Sequence, residues 1–128
     1  MEDLIKKLFE NRKEQINTLE QKTNEIVSIC VDDLCLCLEE DSKAKCNEFQ
    51  DWNVISGFVN IENVICKVFE VDITLVDKDN FINYCNKIVK QVMHEMKELN
   101  FFSRDNYNVT YIKEREPVGL TVRIQNIS

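Results

Sequence analysis

Six cysteines, one histidine and a cluster of carboxylates are the side chains of this sequence with the means to do chemistry. Cys30, Cys35, Cys37 and Cys46 lie close together, but none is paired as C-x-x-C. On a helix, a two-residue step turns Cys35 and Cys37 about 200° apart. Neither structural zinc nor an iron–sulfur cluster is expected. With Cys66 and Cys85 included, most of the cysteines occupy apolar positions of periodic segments and no export signal accompanies them. They therefore read as reduced, mostly buried thiols and not as a disulfide framework.

His94-Glu95 opens like a two-histidine zinc motif on a helix, but position 98 is Glu98 and the sequence holds no second histidine. His94 is expected to be an ordinary surface or satisfied residue. A metal-dependent nuclease would want its carboxylates and a lysine on strands, whereas Glu95 and Lys97 fall mid-helix. Two isolated glycines, Gly57 and Gly119, cannot build a phosphate-cradling loop. The expectation is a non-enzyme with no cofactor and no metal.

The carboxylates are the exception to this plainness. Residues 31–51 hold seven acids, Asp32, Asp33, Glu39, Glu40, Asp41, Glu48 and Asp51, against Lys43 and Lys45, so −5 of the net −7 lies there. These seven are the candidate partner-binding residues. Lys and Arg are not clustered, which argues against direct DNA or RNA binding and leaves a partner protein with a basic surface. Were a helix to continue to Asp41, Glu39, Glu40 and Asp41 would sit at its negative end, an unfavourable placement of the kind sometimes retained for function.

Elements must position that charge. From Ile5 the apolar residues Leu8, Phe9, Ile16, Leu19, Ile26, Val27, Cys30, Leu34, Cys37 and Leu38 fall on one helical face, interrupted by Arg12 and Thr23. The early steps fit a seven-residue repeat, but after Leu19 they drift toward 3.6, which favours packing on the protein's own sheet over a dimeric coiled coil. A kink or break is expected near residue 41, with a second helical piece through Phe49 and Trp52 as a core anchor.

Val54 to Ile61 favours a strand, Glu62-Asn63 a turn, and Val64 to Val76 a second strand. In that second strand Ile65, Phe69, Val71, Ile73 and Leu75 alternate with Glu70, Asp72 and Thr74. Asp77 or Asp79 caps a helix from about Asn80 to Leu99, whose inner stripe is Phe81, Cys85, Ile88, Val92, Met96 and Leu99. Tyr107 to Lys113 and Leu120 to Ile127 form a last hairpin around Pro117 and Gly119. Phe101, Phe102, Tyr107 and Tyr111 read as core, since no basic residues interleave them as in a base-stacking platform.

The fold expected is α+β in one domain, 1–128, with order αββαββ and two long helices on one face of a four-stranded, mainly antiparallel sheet. Its parts are a helical region 2–50, a hairpin 54–76, a helix 79–99 and a hairpin 107–127. No apolar run is long enough to span a bilayer and no signal pattern opens the chain, so a cytoplasmic, non-membrane protein is expected. The richness in Asn, Ile and Lys suggests AT-rich codons, as in low-GC bacteria and their phages. The functional expectation is a protein that binds proteins, for example a phage-encoded inhibitor of a nucleic-acid-binding defence enzyme acting by occlusion and charge mimicry, or a nuclease-toxin immunity protein. The alternatives are an assembly subunit forming a homodimer through its N-terminal helix, and a ligand protein or enzyme with a helix–sheet pocket.

Overall fold

The computed structural model describes residues 2–71 and 77–128. It is α+β. Among the described residues, helix α1 (Glu2–Lys43) leads into strand β1 (Val54–Asn60), helix α2 (Ile61–Phe69), helix α3 (Lys78–Glu98), and strands β2 (Tyr107–Arg115) and β3 (Val118–Asn126). The strands form one antiparallel sheet in the order β1-β3-β2. A strand was expected from Val64 to Val76, but residues 61–69 are helical, and residues 72–76 of that expected strand lie outside the described residues. The described sheet has three strands in place of four, and the order is αβααββ.

The reason for the switch is local. Ile61, Val64, Ile65 and Val68 follow the spacing of a helical face, and the Asn60 side chain accepts the Asn63 N–H at 3.0 Å to start the helix. Glu70, in the left-handed conformation, ends it by returning its N–H to the Cys66 carbonyl.

No Gly or Pro interrupts α1, which runs 42 residues and spans roughly 60 Å. Only its second half belongs to the body. Thr23, Ile26, Val27, Cys30, Val31, Leu34 and Leu38 are buried, while Leu4, Ile5, Leu8, Phe9, Ile16 and Leu19 stand 46–71% exposed. Among the described residues, the expected packing of the stripe on the protein's own body therefore holds from Thr23 onward and not before it. Thr23, one of the two interruptions, is explained by its hydroxyl, which meets the Leu19 carbonyl at 2.9 Å and the Tyr84 hydroxyl at 2.6 Å.

The core joins α1 to α2 through Ile61 and Ile65, to α3 through Cys85, Ile88, Val92 and Met96, and to the sheet through Val59, Leu120 and Val122. On the sheet's other face Ser56, Phe58, Thr110, Ile112 and Arg123 are exposed. The stripe foreseen for α3 matches, except that Leu99 is 52% exposed. Asp77 caps α3, accepting the Asn80 N–H at 3.1 Å.

Two glycines let layers approach. A Cβ on Gly119 would lie 2.5 Å from the Val59 carbonyl oxygen and 2.6 Å from the Phe58 ring, and one on Gly57 would lie 3.1 Å from Leu38 Cγ. Gly119 is thus a strand residue, opposite Asn60 and Glu114, and the β2–β3 turn narrows to Glu116-Pro117.

The aromatic expectations need correction. Trp52 is 67% exposed, and its indole N–H donates to the Asn47 carbonyl at 2.9 Å, closing the 44–53 loop without entering the core. That loop replaces the second helical piece expected through Phe49, which is itself exposed. Phe101 and Tyr111 are half-buried against the core, with the Tyr111 hydroxyl donating to the Phe101 carbonyl. Phe102 and Tyr107 are instead exposed, each facing the Arg104 guanidinium at 5.1 and 5.4 Å.

Candidate protein-interaction surface

The second half of α1 has two faces. Its inner face is fixed to the body by the residues just named, so the residues between them must point outward. Asp32, Asp33, Glu39 and Glu40 fall there, and all are exposed. Leu36, 53% exposed, lies in their midst, and half-buried Ile29 lies one heptad before it. The result is an acidic helix face with an apolar centre.

Beside this face runs a groove of about 270 Å³ between α1, β1 and α2, lined by Ile29, Asp33, Leu36, Phe58, Lys67 and Val68 among others. Leu36 and Phe58 are large, exposed apolar residues on its walls. Sequence reasoning missed this groove. The signal available was Leu36, an apolar residue out of phase with the buried stripe and bracketed by acids.

The seven candidate acids divide by what they bond. Glu39 pairs with Lys43 at 2.9 Å, one turn on. The Asp41 Oδ2 accepts the Ser56 N–H of β1 at 2.9 Å, and Asp51 accepts the Asn53 N–H at 3.0 Å within the loop. Asp32, Asp33, Glu40 and Glu48 make no hydrogen bond or ion pair among the described residues. Asp32, Asp33 and Glu40 share the outer face of α1, whereas Glu48 and Asp51 sit on the loop that follows the helix.

Because α1 stops at Lys43, Glu39, Glu40 and Asp41 occupy its negative end, at about 0.3–1 kcal/mol each against the helix dipole. Lys43 and the Ser56 N–H offset part of that for Glu39 and Asp41. Nothing comparable meets Glu40.

A second groove, about 580 Å³, separates α1 from α3 and includes Asn24, Asp32, Lys90, Gln91, His94 and Glu95. His94 is exposed, with Nε2 3.8 Å from Glu98 Oε1. Among the described residues no three His, Cys, Asp or Glu converge as a metal site. Burial, with Asp33 nearby, pushes the Cys30 thiol up to about 12, and burial, with Glu62 and Cys66 nearby, does the same to Cys85. Cys35 is raised too, by burial and then Asp32. These three thiols stay protonated at neutral pH, the wrong state for a nucleophile or a metal ligand.

No protein-family model, curated protein or solved structure matches the chain. Among the described residues no helix is long and apolar enough to cross a membrane.

Proposed function

We propose that the protein is a non-enzymatic binding protein that presents the outer face of α1 to a partner protein with a basic surface. The observation that carries this reading is the juxtaposition of unpaired Asp32, Asp33 and Glu40 with the exposed apolar wall of Leu36 and Phe58. Such a surface suits a basic segment with an apolar anchor. The carboxylates speed the encounter and orient it, and the groove excludes water from the anchor. A nucleic-acid-binding enzyme offers such a basic surface, so the reading extends to inhibition by occlusion and charge mimicry, as in a defence-enzyme inhibitor or an immunity protein for a nuclease toxin.

The test is comparative capture from the native cell, with wild type beside Asp32→Lys/Asp33→Lys/Glu40→Lys, followed by association kinetics on the retained protein. The triple variant is expected to lose a basic partner and to slow association at low salt by about tenfold or more. Leu36→Asp is expected to act on dissociation. Equal retention by both proteins, or an acidic partner, would overturn the reading.

A further inference from the structure

The first five turns of α1 extend beyond the body, and among the described residues nothing covers their apolar stripe, whose side chains stand 46–71% exposed. Ile5, Phe9, Arg12, Ile16 and Leu19 succeed one another in alternating steps of four and three, the seam of a two-stranded coiled coil, with exposed Leu4 and Leu8 beside it. The same seam runs on into Thr23, Ile26 and Cys30, which the body buries. A helix of about 20 residues is marginal alone in water, and among the described residues the stripe of this one stays about half-exposed or more, with Leu19 at its inner end adjoining the body.

We propose that this segment pairs antiparallel with the same segment of a second copy, giving a symmetric dimer. Four observations select that occupant and that direction.

The first is steric. From Thr23 onward the body sits on the stripe side of α1, so a parallel partner would bring two bodies to one place on one side of the seam. An antiparallel partner sends them to opposite ends of an overlap about 30 Å long.

The second is charge. Residues 2–22 carry five acids and five bases, so two copies meet without net repulsion although the chain as a whole is −7. With the overlap centred on Glu14, Phe9 faces Leu19 of the second copy and Lys6 of each copy lies beside Glu20 of the other.

The third is a receptor at the end of the overlap. Where the free stripe meets the body, a largely apolar hollow of about 270 Å³ is lined by Leu19, Ile65, Phe69, Val71, Phe81 and Tyr84, with Asn80 beside them. The arriving Leu4 and Ile5 of the second copy land there.

The fourth is area. Six half-exposed apolar side chains from each copy would bury on the order of 1,000 Å² in total, about the size at which a specific interface becomes stable. Arg12, on the seam and facing Ile16 of the second copy, holds the affinity down.

The mass of the full chain, followed by analytical ultracentrifugation over a range of concentrations, tests the proposal. Wild type is expected to be a monomer–dimer equilibrium. Phe9→Asp is expected to weaken association on the order of a hundredfold. Arg12→Leu is expected to strengthen it about tenfold. Lys6→Glu and Glu20→Lys should each weaken the dimer while the double exchange restores it, because only the antiparallel arrangement sets those positions side by side. Wild type that stays monomeric, a dimer indifferent to Phe9→Asp, or a double exchange that fails to restore would overturn the proposal. An intact near-ultraviolet spectrum of each variant, whose changes all lie outside the core, confirms that the body is folded. The acidic face is on the other half of α1, so loss of partner capture and loss of the dimer are separately observable.

Discussion

Ile16 and Ile26 lie on the same stripe of the same helix, ten residues apart, and their truncation should have very different consequences. Ile26 is 0% exposed among Val27, Cys30 and the residues of α3 and the sheet, while Ile16 is 49% exposed. Ile26→Ala removes buried carbons and leaves a cavity that the flanking helices cannot fully close, for about 3 kcal/mol. Ile16→Ala, in the monomer, removes surface already in water and should cost about 0.5 kcal/mol or less. In a chain of this size the first loss lowers the melting temperature by about 10 °C and the second by about 2 °C or less. Urea and thermal unfolding followed by circular dichroism, at protein concentrations low enough to keep the chain monomeric, read both. Equal losses would refute the division of α1 into a buried and a free half. A small loss for Ile26→Ala would refute the core as described.

Gly119→Ala forces a Cβ into the Val59 carbonyl and the Phe58 ring, so the β1–β3 pair must part, and a destabilisation of about 2 kcal/mol or more is expected in urea titration. The Cys30 and Cys85 thiols, held up to about 12 by burial, ionise in the unfolded chain near the ordinary thiol value of 9.0 but not in the folded one. Their contribution to stability is whole below pH 9 and declines as the pH climbs from 9 toward 12, and Cys30→Val/Cys85→Val should flatten that alkaline decline. The same burial makes native Cys46, which is exposed, react with a thiol reagent long before Cys30 or Cys85.

How far the sequence could be read depended on how many turns or strand residues shared one period. The 21 residues of α3 and the β2–β3 hairpin repeat their patterns long enough to be unambiguous, and Asp77 was one of two visible caps. Nine-residue α2 was not legible in the same way. Its Ile, Val and Phe favour strands, the alternation beyond Phe69 reinforced that reading, and the deciding signal was a single capping side chain, Asn60. Trp52 misled because its size suggests burial, whereas its N–H found a carbonyl in its own loop. For the candidate surface, the charge of residues 31–51 was plain in the sequence, but its division was not. Asp41 and Asp51 bond backbone N–H groups that only the fold brings near, and Leu36 gains meaning from Phe58, twenty-two positions away. Periodicity likewise identified the apolar stripe of α1 without saying what covers its first half.

The contact between Asp41 and Ser56 has a consequence for solubility. A three-stranded sheet has two rims, each able to recruit a strand from another molecule. On the β1 rim, the Asp41 carboxylate occupies the Ser56 N–H and the Cys37 thiol reaches the Phe58 carbonyl at 3.5 Å, so the end of α1 lies across the place where such pairing would begin. The β2 rim relies instead on Lys113, Glu114 and Arg115, charges that penalise an incoming strand. An acid that the helix dipole disfavours thus acts as a stopper on the sheet, and removing it would open that one rim to a strand from a second molecule, a pairing that closes on itself while the β2 rim stays guarded.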